Sequence, residues 1–351
     1  MTEISTQRVA QLMSKLEPIS PPEAINLYLD HRRPEVAEKT LQNQKYRLAR
    51  FREWAEEYNL ENMNNLTGRK LHQYRTWRSD KIKRITLVNE LRTLQKFLEF
   101  CASIDAVERG LREQVLIPKL EPGDEASDVE LHTDRAEDIL KYLKRFHYAS
   151  RQHVVFTLLW HTGIRLGTLQ SMDVDDFDPD NRCIDVKHRP DGDTPLKNKD
   201  AAERSISVSK QYCEVIQDYI EHHRHSVTDD YGREPLITSE RGRLTATPIR
   251  RMVNRLTQPC HVGECPHDKD PDTCEYRHYE NLANCPSSRS PHTIRRGSIT
   301  HHLRKGAPQV VVEGRCNVSS DVLEKHYDER TDREKMEARR EWLDEALHEE
   351  Y

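Results

Sequence analysis

Three side chains able to act on a phosphate ester stand near the C-terminal end of the sequence. His292 and Arg295 are three residues apart, and Tyr327 follows further along. Residues at this spacing share one face of a helix, and the free N–H groups of a first helical turn favour an anion. We therefore expect this face to hold a phosphate. A phenol such as Tyr327 can attack phosphorus once it has lost its proton.

Local signals indicate which elements position these residues. Ser290 is a favourable N-cap, Pro291 suits the first helical position, and Gly306 suits the end of the last turn. The run DVLEKH predicts a short helix directly before Tyr327, which we expect to expose the phenol on a mobile element. The competing interpretation is that the histidine and arginine are solvated helix residues and that the tyrosine packs against a core.

An arginine earlier in the chain has a context that also suits a phosphate. The almost wholly apolar run 151–161 predicts a buried helix, and Thr162-Gly163 ends it because glycine can adopt the left-handed turn. Arg165 follows directly, so it emerges from a tight turn. Taken alone, this arginine could instead pair with Asp173 or Asp175.

Two lysines lie on a predicted β-hairpin. Short β signals at Cys183–Val186 and Ser205–Val208 flank a polar connection that carries Lys197 and Lys199. Lys197 stands at the end of the apparent turn, whereas Lys199 has the better spacing to Arg204. We favour Lys197 over its competitor by a narrow margin.

The order of these residues resembles that of the tyrosine recombinases of the phage integrase family. Arg165 within TGIRLGTL, a hairpin lysine, His292-x-x-Arg295 and Tyr327 occur in the family's order, and the likeness extends to nearly the whole chain. Within the family it resembles an archaeal-type integrase with a Cys/His-rich insertion. The resemblance implies site-specific cutting and rejoining of DNA through a 3′-phosphotyrosyl intermediate, for integration or excision of a mobile element. No cofactor is required for that chemistry.

The resemblance also implies a role for each residue. Arg165 and Arg295 would hold the non-bridging oxygens and stabilise five-coordinate phosphorus. His292 would assist the loss of the proton from Tyr327, and Lys197 would give a proton to the departing 5′ oxygen.

The chain departs from the family pattern at two points. Thr168 stands where an acid usually follows the first arginine by three residues. The His or Trp usually found nine residues before the nucleophile is replaced by Val318, or by Asn317 if one residue is inserted. Asparagine can hydrogen-bond a phosphate oxygen but cannot act as an acid or base, and His301 or His326 could compensate.

The predicted fold is mainly α with a small β-sheet, arranged as a two-domain clamp. A capped start at Ser20 and apolar positions at helical spacing favour four helices: one from about residue 21, two at about 35–58 and 68–78, and one from about residue 87 to Cys101. These resemble the four-helix core-binding domain of the family, followed by an α+β catalytic domain. The predicted divisions are an extension at 1–19, the helical DNA-binding domain at 20–105, a linker at 106–130, and the catalytic domain at 131–351 with its insertion at 258–286.

Composition limits the alternatives. The 351-residue chain is long enough for two cores, 33% charged and only 7% aromatic. Its net charge of −5 opposes DNA binding, yet residues 31–100 carry 16 Lys and Arg against 9 Asp and Glu, so this N-terminal stretch is basic although the chain as a whole is acidic. No apolar run approaches the roughly 20 residues of a membrane helix, and the start lacks an apolar signal core. We expect a cytoplasmic protein.

Four of the eight cysteines fall within 260–285, in a stretch too polar to form its own core. A cytoplasmic chain does not favour a disulfide framework. Cys265, His267, Cys274 and Cys285 could supply one tetrahedral zinc site, with Cys260, His261 or His278 as substitutes. The spacing is not that of a standard zinc finger, so reduced thiols without metal are the alternative. Zinc here would be structural.

The predicted partner is double-stranded DNA, with a homotetramer on two recombination sites implied by the resemblance. A type IB topoisomerase-like relaxase is one alternative. A DNA-binding regulator that kept the fold but lost most of its turnover is another, and the missing third histidine favours it.

Overall fold

The computed structural model describes residues 16–121, 129–327 and 331–347. Its internal contacts divide the chain into two compact units, Met1–Asp128 and Val129–Tyr351. None of the helices in the described ranges is long and apolar enough to cross a membrane.

The first unit is helical, as the apolar spacing predicts. Its α-helices are α1 (Pro21–Arg32), α2 (Glu38–Glu57), α3 (Gly68–Ser79) and α4 (Arg84–Ser103), with 3₁₀ turns at Met63–Asn65 and Leu111–Gln114. The Ser20 side chain and Glu23 form a capping box that starts α1. Large side chains such as Trp54, Tyr74 and Phe97 fill the core between the helices.

The linker predicted at 106–130 begins later than expected. Ala106, Val107, Leu111 and Val115 are buried in the core of the first unit, so this part of the chain is fixed by packing. The prediction was wrong for these residues because they lie before, within and after the 3₁₀ turn Leu111–Gln114, where apolar positions have no α-helical periodicity. Residues 122–128 lie outside the described chain.

Not every basic residue of the first unit is available to a phosphate. Arg78 donates two hydrogen bonds, of 2.7 and 2.9 Å, to the buried carboxylate of Glu90. A bidentate pair of this kind fixes α3 against α4. Lys45, Arg69 and Arg92, by contrast, are exposed.

The second unit is mostly helical with a small sheet, which confirms the predicted fold class. Its α-helices are α5 (Thr133–Phe146), α6 (Arg151–Thr162), α7 (Leu166–Ser171), α8 (Lys210–His222), α9 (Ala246–Leu256), α10 (Pro291–Arg304), α11 (Gln309–Cys316), α12 (Ser320–His326) and α13 (Asp332–Leu347). Its strands are β1 (Phe177–Asp178), β2 (Cys183–Val186), β3 (Arg204–Ser207), β4 (Thr238–Ser239) and β5 (Gly242–Arg243). Short 3₁₀ turns lie at Val174–Asp176, Pro190–Gly192, Lys199–Ala202, Pro259–His261, Glu275–Arg277 and Leu282–Asn284.

The predicted hairpin is present and gains a third strand. β1, β2 and β3 form an antiparallel sheet in that order, with Ile184 paired to both Phe177 and Ile206. β3 begins one residue earlier than predicted. β1 has two residues, too few to show the alternation that marks a strand in sequence.

Helix α6 lies at the centre of the unit and supports α10. Val154, Phe156 and Leu159 are fully buried. Gly297 of α10 packs so closely on the chain before α5 that a Cβ there would lie 2.0 Å from the carbonyl oxygen of Leu131. Ser298, the next residue of α10, donates a 2.5 Å hydrogen bond to the carbonyl oxygen of Trp160 in α6.

Helices α10, α11 and α12 enclose a second, smaller core. It includes Ile299, Leu303, Val312, Cys316 and Leu323. Helix α11 is absent from our sequence-based expectations, since its eight residues include three consecutive valines and a glycine, which have low helix propensity.

Candidate active site

The structure brings Arg165 and Arg295 together from distant parts of the chain. Arg165 is the N-cap of α7 and follows the left-handed Gly163, whose φ is +61°. Ser290 caps α10 as predicted, and Arg295 lies in the second turn of that helix. Both guanidinium groups meet at Asn317: Nη1 of Arg165 is 3.3 Å from its Oδ1, and Nη2 of Arg295 is 3.4 Å from its carbonyl oxygen.

Arg295 is fixed by main-chain carbonyls and only 2% exposed. Its Nη1 donates 2.6 Å hydrogen bonds to the carbonyl oxygens of Gly163 and Cys316. A side chain at residue 163 would crowd this contact, because a Cβ there would lie 2.8 Å from Sγ of Cys316. The tight turn predicted after α6 therefore contributes directly to holding the second arginine.

The two arginines share one electrostatic environment. The pKa of Arg165 is lowered, first by desolvation and second by the positive charge of Arg295, while Tyr327 and Cys316 oppose the shift. Adjacent cations repel each other, so an anion placed between them would be stabilised. Such a pair suits the two non-bridging oxygens of a phosphodiester.

Asp173 is not the partner of Arg165, which excludes one competing interpretation of that arginine. Its carboxylate pairs with Arg243 in a short contact, with Arg233 at 3.6 Å and with Arg189 at 3.4 Å. The acid is thus already neutralised by an ion-pair network.

His292 and Lys197 lie on the exposed side of the same site. The pKa of His292 is lowered from the usual 6.5, first by desolvation and then by the charges of Arg295, Arg296, Lys197 and Arg165. The imidazole is therefore neutral at pH 7 and can accept a proton. Of the two competing lysines, Lys197 is among the charges that lower this pKa.

Tyr327 ends α12 and is 6% exposed, so the expected exposure of the phenol is wrong in this structure. Its ring packs in the core of α10, α11 and α12, and its carbonyl accepts a 3.2 Å hydrogen bond from Thr300. The side chain still lies within electrostatic reach of Arg165. Tyr327 is therefore buried and near Arg165 at the same time.

The structure separates the two residues proposed to replace the family's His or Trp. Asn317 faces both arginines, whereas Val318 is buried in the small core. Asn317 has a φ of +51°, a left-handed conformation that asparagine tolerates better than most residues. Thr168, at the other departure from the family pattern, is buried in α7.

Sequence reasoning missed a second layer of arginines. Arg204 on β3 donates a 2.9 Å hydrogen bond to the carbonyl of Arg315. Arg315 in turn donates to the carbonyls of Ser207, at 2.9 Å, and His161, at 3.1 Å. Desolvation lowers the pKa of Arg204 to about 10. No local signal marks either residue, because their partners are carbonyls distant in sequence.

The cysteine-rich segment is held by hydrogen bonds more than by apolar packing. The buried amide of Gln258 donates to the carbonyls of Tyr276, at 2.7 Å, and Leu282, at 3.3 Å. All its cysteines are free thiols, and Nε2 of His267 lies 2.9 Å from Oγ of Ser287. Across the described residues, no three His, Cys, Asp or Glu side chains are arranged to hold one metal ion. Zinc binding by Cys265, His267, Cys274 and Cys285 thus stays a prediction.

Comparison with known proteins gives the family. The sequence profile of the phage integrase family matches residues 130–333. No curated protein matches the sequence at a significant level. The chain belongs to the phage integrase family, whose members are tyrosine recombinases.

Two solved structures with TM-scores above 0.6 support the same fold. The Tn1549 transposon integrase in complex with a circular intermediate DNA is similar with a TM-score of 0.64 and 18% identity, over 92% of this chain and 99% of that one. A lambda integrase dimer bound to a COC′ core site has a TM-score of 0.63 and 14% identity, over 95% and 82%. The N-terminal domain of a phage integrase/site-specific recombinase from Haloarcula marismortui is 41% identical over 29% of this chain and 99% of that one, with a TM-score of 0.29.

Proposed function

We propose that this chain is a site-specific DNA recombinase that cuts and rejoins double-stranded DNA through a 3′-phosphotyrosyl intermediate, in the integration or excision of a mobile element. The observation that carries the proposal is the meeting of Arg165 and Arg295 at one point, with Tyr327 within electrostatic reach. Two cations held this way can bind one scissile phosphate and stabilise the charge of its transition state.

Each step then has a residue to perform it. Neutral His292 assists the loss of the phenolic proton, and the oxygen of Tyr327 attacks phosphorus. The bond between phosphorus and the 5′ oxygen breaks while Lys197 gives that oxygen a proton. Reversal of these steps by a 5′-hydroxyl from another strand rejoins the DNA, and the energy of the broken bond is kept in the phosphotyrosine.

Covalent trapping on a nicked duplex tests this proposal. The substrates are nicked duplexes tiled across the DNA that flanks the coding sequence, in which the short strand released by cleavage diffuses away and prevents rejoining. We expect wild type to form an adduct that survives denaturing electrophoresis and Tyr327→Phe to form none, because the variant lacks only the nucleophilic oxygen. If wild type forms no adduct with any duplex, the proposal is wrong.

A catalytically weak DNA-binding regulator is the second candidate, and Asn317 is the observation that favours it. An amide can hydrogen-bond a phosphate but cannot transfer a proton at neutral pH. Binding to a defined site without any adduct would support this function. Relaxation of a supercoiled plasmid that lacks the site would instead indicate a relaxase.

We further propose that the chain acts in the cytoplasm as a homotetramer on two recombination sites. Helix α13, Asp332–Leu347, offers Leu343, which is 37% exposed, for contact with another subunit. Sedimentation of the trapped complex would give four chains per two duplexes if this is correct.

Structural zinc in the cysteine-rich segment is also a proposal. The proposed ligands are Cys265, His267, Cys274 and Cys285, with Cys260 as a substitute for the histidine. Binding would require these side chains to move closer together, because they form no such cluster among the described residues. Metal analysis of the purified protein should give one zinc per chain, and His267→Ala should lose it while Cys260→Ser retains it. Absence of zinc in wild type would refute the proposal, and the reverse pattern would make Cys260 the fourth ligand.

A further inference from the structure

Asn317 connects two parts of the candidate site that are distant in sequence. Its Oδ1 accepts hydrogen bonds from Nη1 of Arg165, at 3.3 Å, and from Nδ2 of Asn198, at 2.7 Å. Its Nδ2 donates a 3.1 Å hydrogen bond to the carbonyl of Ala201. One amide therefore joins the arginine pair to the hairpin segment that carries Lys197.

The lysine-bearing segment needs such a connection. Lys197, Asn198 and Lys199 are all exposed, and Lys199 has the unfavourable left-handed φ of +52°. Leu196 and Ala202 are buried at the two ends of the segment. Between these anchors, both bonds to Asn317 fall within four residues of Lys197. The position of the Lys197 ammonium group therefore depends on a loop that is hydrogen-bonded to Asn317.

We infer that Asn317 is a positioning residue, which places Lys197 beside the scissile phosphate so that a proton can reach the departing 5′ oxygen. The inference rests on the proposed recombinase function. When the bond from phosphorus to the 5′ oxygen breaks, the electron pair of that bond stays on oxygen, and the proton from the lysine neutralises it. Asn317 itself transfers nothing. This role differs from direct binding of the phosphate, which an amide at this position could also perform.

Sulfur in the bridging 5′ position separates the two roles. A thiolate is a good leaving group because thiols ionise near neutral pH, and it departs without a proton. Loss of the proton donor is therefore repaired by sulfur, whereas loss of a phosphate contact is not. The substrates are two versions of the nicked duplex trapped by wild type, identical except for oxygen or sulfur at the scissile 5′ position.

The test variant is Asn317→Gly. Glycine removes the amide and tolerates the left-handed backbone, so the strain that alanine would introduce is avoided. Asn59→Gly is the matched control, since Asn59 has a φ of +52° in the first unit and no place in the site. Thermal unfolding of both variants checks that the fold is kept.

We expect Asn317→Gly to slow adduct formation about 10- to 100-fold on the oxygen substrate, less than the roughly 10²- to 10⁴-fold of a lost general acid because the lysine is still present. On the sulfur substrate its rate should be nearly that of wild type. Lys197→Ala should show the same pattern with a larger loss. Equal losses on both substrates would overturn the inference in favour of a phosphate contact. The absence of any loss would also overturn it, because Asn317 would then have no role in cleavage. If wild type traps no nicked duplex in the first place, the recombinase function itself fails, and that outcome is distinct from equal losses in the variant.

Asn198, which donates a hydrogen bond to Asn317, allows a second test of the inference. Asn198→Ala should cause a smaller loss that sulfur also repairs, and the double variant with Asn317→Gly should be no slower than Asn317→Gly alone. Residues that act through one shared contact are not additive. Additive losses would indicate that Asn198 and Asn317 act separately, which contradicts the proposed connection.

Discussion

The candidate site has an arginine side, formed by Arg165 and Arg295, and a lysine side, formed by the hairpin segment that carries Lys197. The two sides are built differently. Arg295 is buried and bonded to carbonyls of the Gly163 turn and of α11. Lys197 is exposed on a hairpin segment that reaches the arginines through Asn317. The arginine half is thus fixed by burial and main-chain contacts, whereas the position of the lysine half depends on a few hydrogen bonds.

The largest effect should come from the arginine side. Arg165→Ala and Arg295→Ala should each reduce adduct formation about 10³- to 10⁵-fold, as loss of a transition-state arginine does in phosphoryl transfer. Only Arg295→Ala should also destabilise the protein, by about 1–3 kcal/mol, because it leaves buried carbonyls without a donor. Single-turnover trapping and urea unfolding measure the two quantities. Equal stability of both variants would contradict the difference in burial.

The lysine side should show a smaller, purely catalytic effect. Lys197→Ala should slow cleavage by about 10²- to 10⁴-fold with no change in unfolding, since the side chain is exposed and acts as a general acid. Lys199→Ala is the matched control, and we expect it to stay within a few-fold of wild type. The reverse result would make Lys199 the proton donor and remove the basis for favouring Lys197.

The packing of α10, the helix that carries Arg295, can be altered at Gly297 without changing either arginine. Gly297→Ala should destabilise the protein by about 1–3 kcal/mol, because its Cβ would meet the Leu131 carbonyl at 2.0 Å and α10 would have to shift. Gly167→Ala is the control: nothing lies within 4 Å of its Cβ, and it sits in α7. Alanine there should stabilise by about 0.5–1 kcal/mol. Denaturant midpoints of the two variants should therefore move in opposite directions.

The smallest effect concerns the titration of His292. Its lowered pKa predicts that cleavage falls on the acid side with a midpoint below pH 6.5, because protonated imidazole cannot accept the phenolic proton. NMR titration of the free protein measures the pKa directly. Lys197→Met should raise it by removing a nearby positive charge, and Lys199→Met should leave it unchanged. Equal shifts would mean that both lysines lie equally close to the histidine.

Local signals in the sequence were sufficient for many of the elements. The cap at Ser290, the apolar helix ending at Gly163 and the β2–β3 hairpin all formed as predicted, because each depends on residues close together in the chain. The exposure of Tyr327 was predicted wrongly. The helix before it has a recognisable signal, but the core that covers its ring includes α11, whose valine-rich sequence gives no helical period.

Sequence alone also could not decide whether Asn317 or Val318 replaces the family's usual His or Trp. Spacing to the nucleophile left both open, since a single inserted residue changes which one faces the site. In the folded chain the left-handed backbone at Asn317 ends α11 and turns the amide to the arginines, while Val318 enters the core. The carbonyl partners of Arg295 and Arg315 were likewise unpredictable, because every main chain offers carbonyls and only folding decides which are near.

The sequence by itself determined the helical class, the family and the identity of the residues able to act on a phosphate, because these follow from residue type, order and short-range spacing. The tertiary structure decided which of those residues meet. Arg165, Asn198, Arg295 and Asn317 come from four separate segments, and their hydrogen bonds exist only because the cores beneath α6, α10 and α11 pack those segments together.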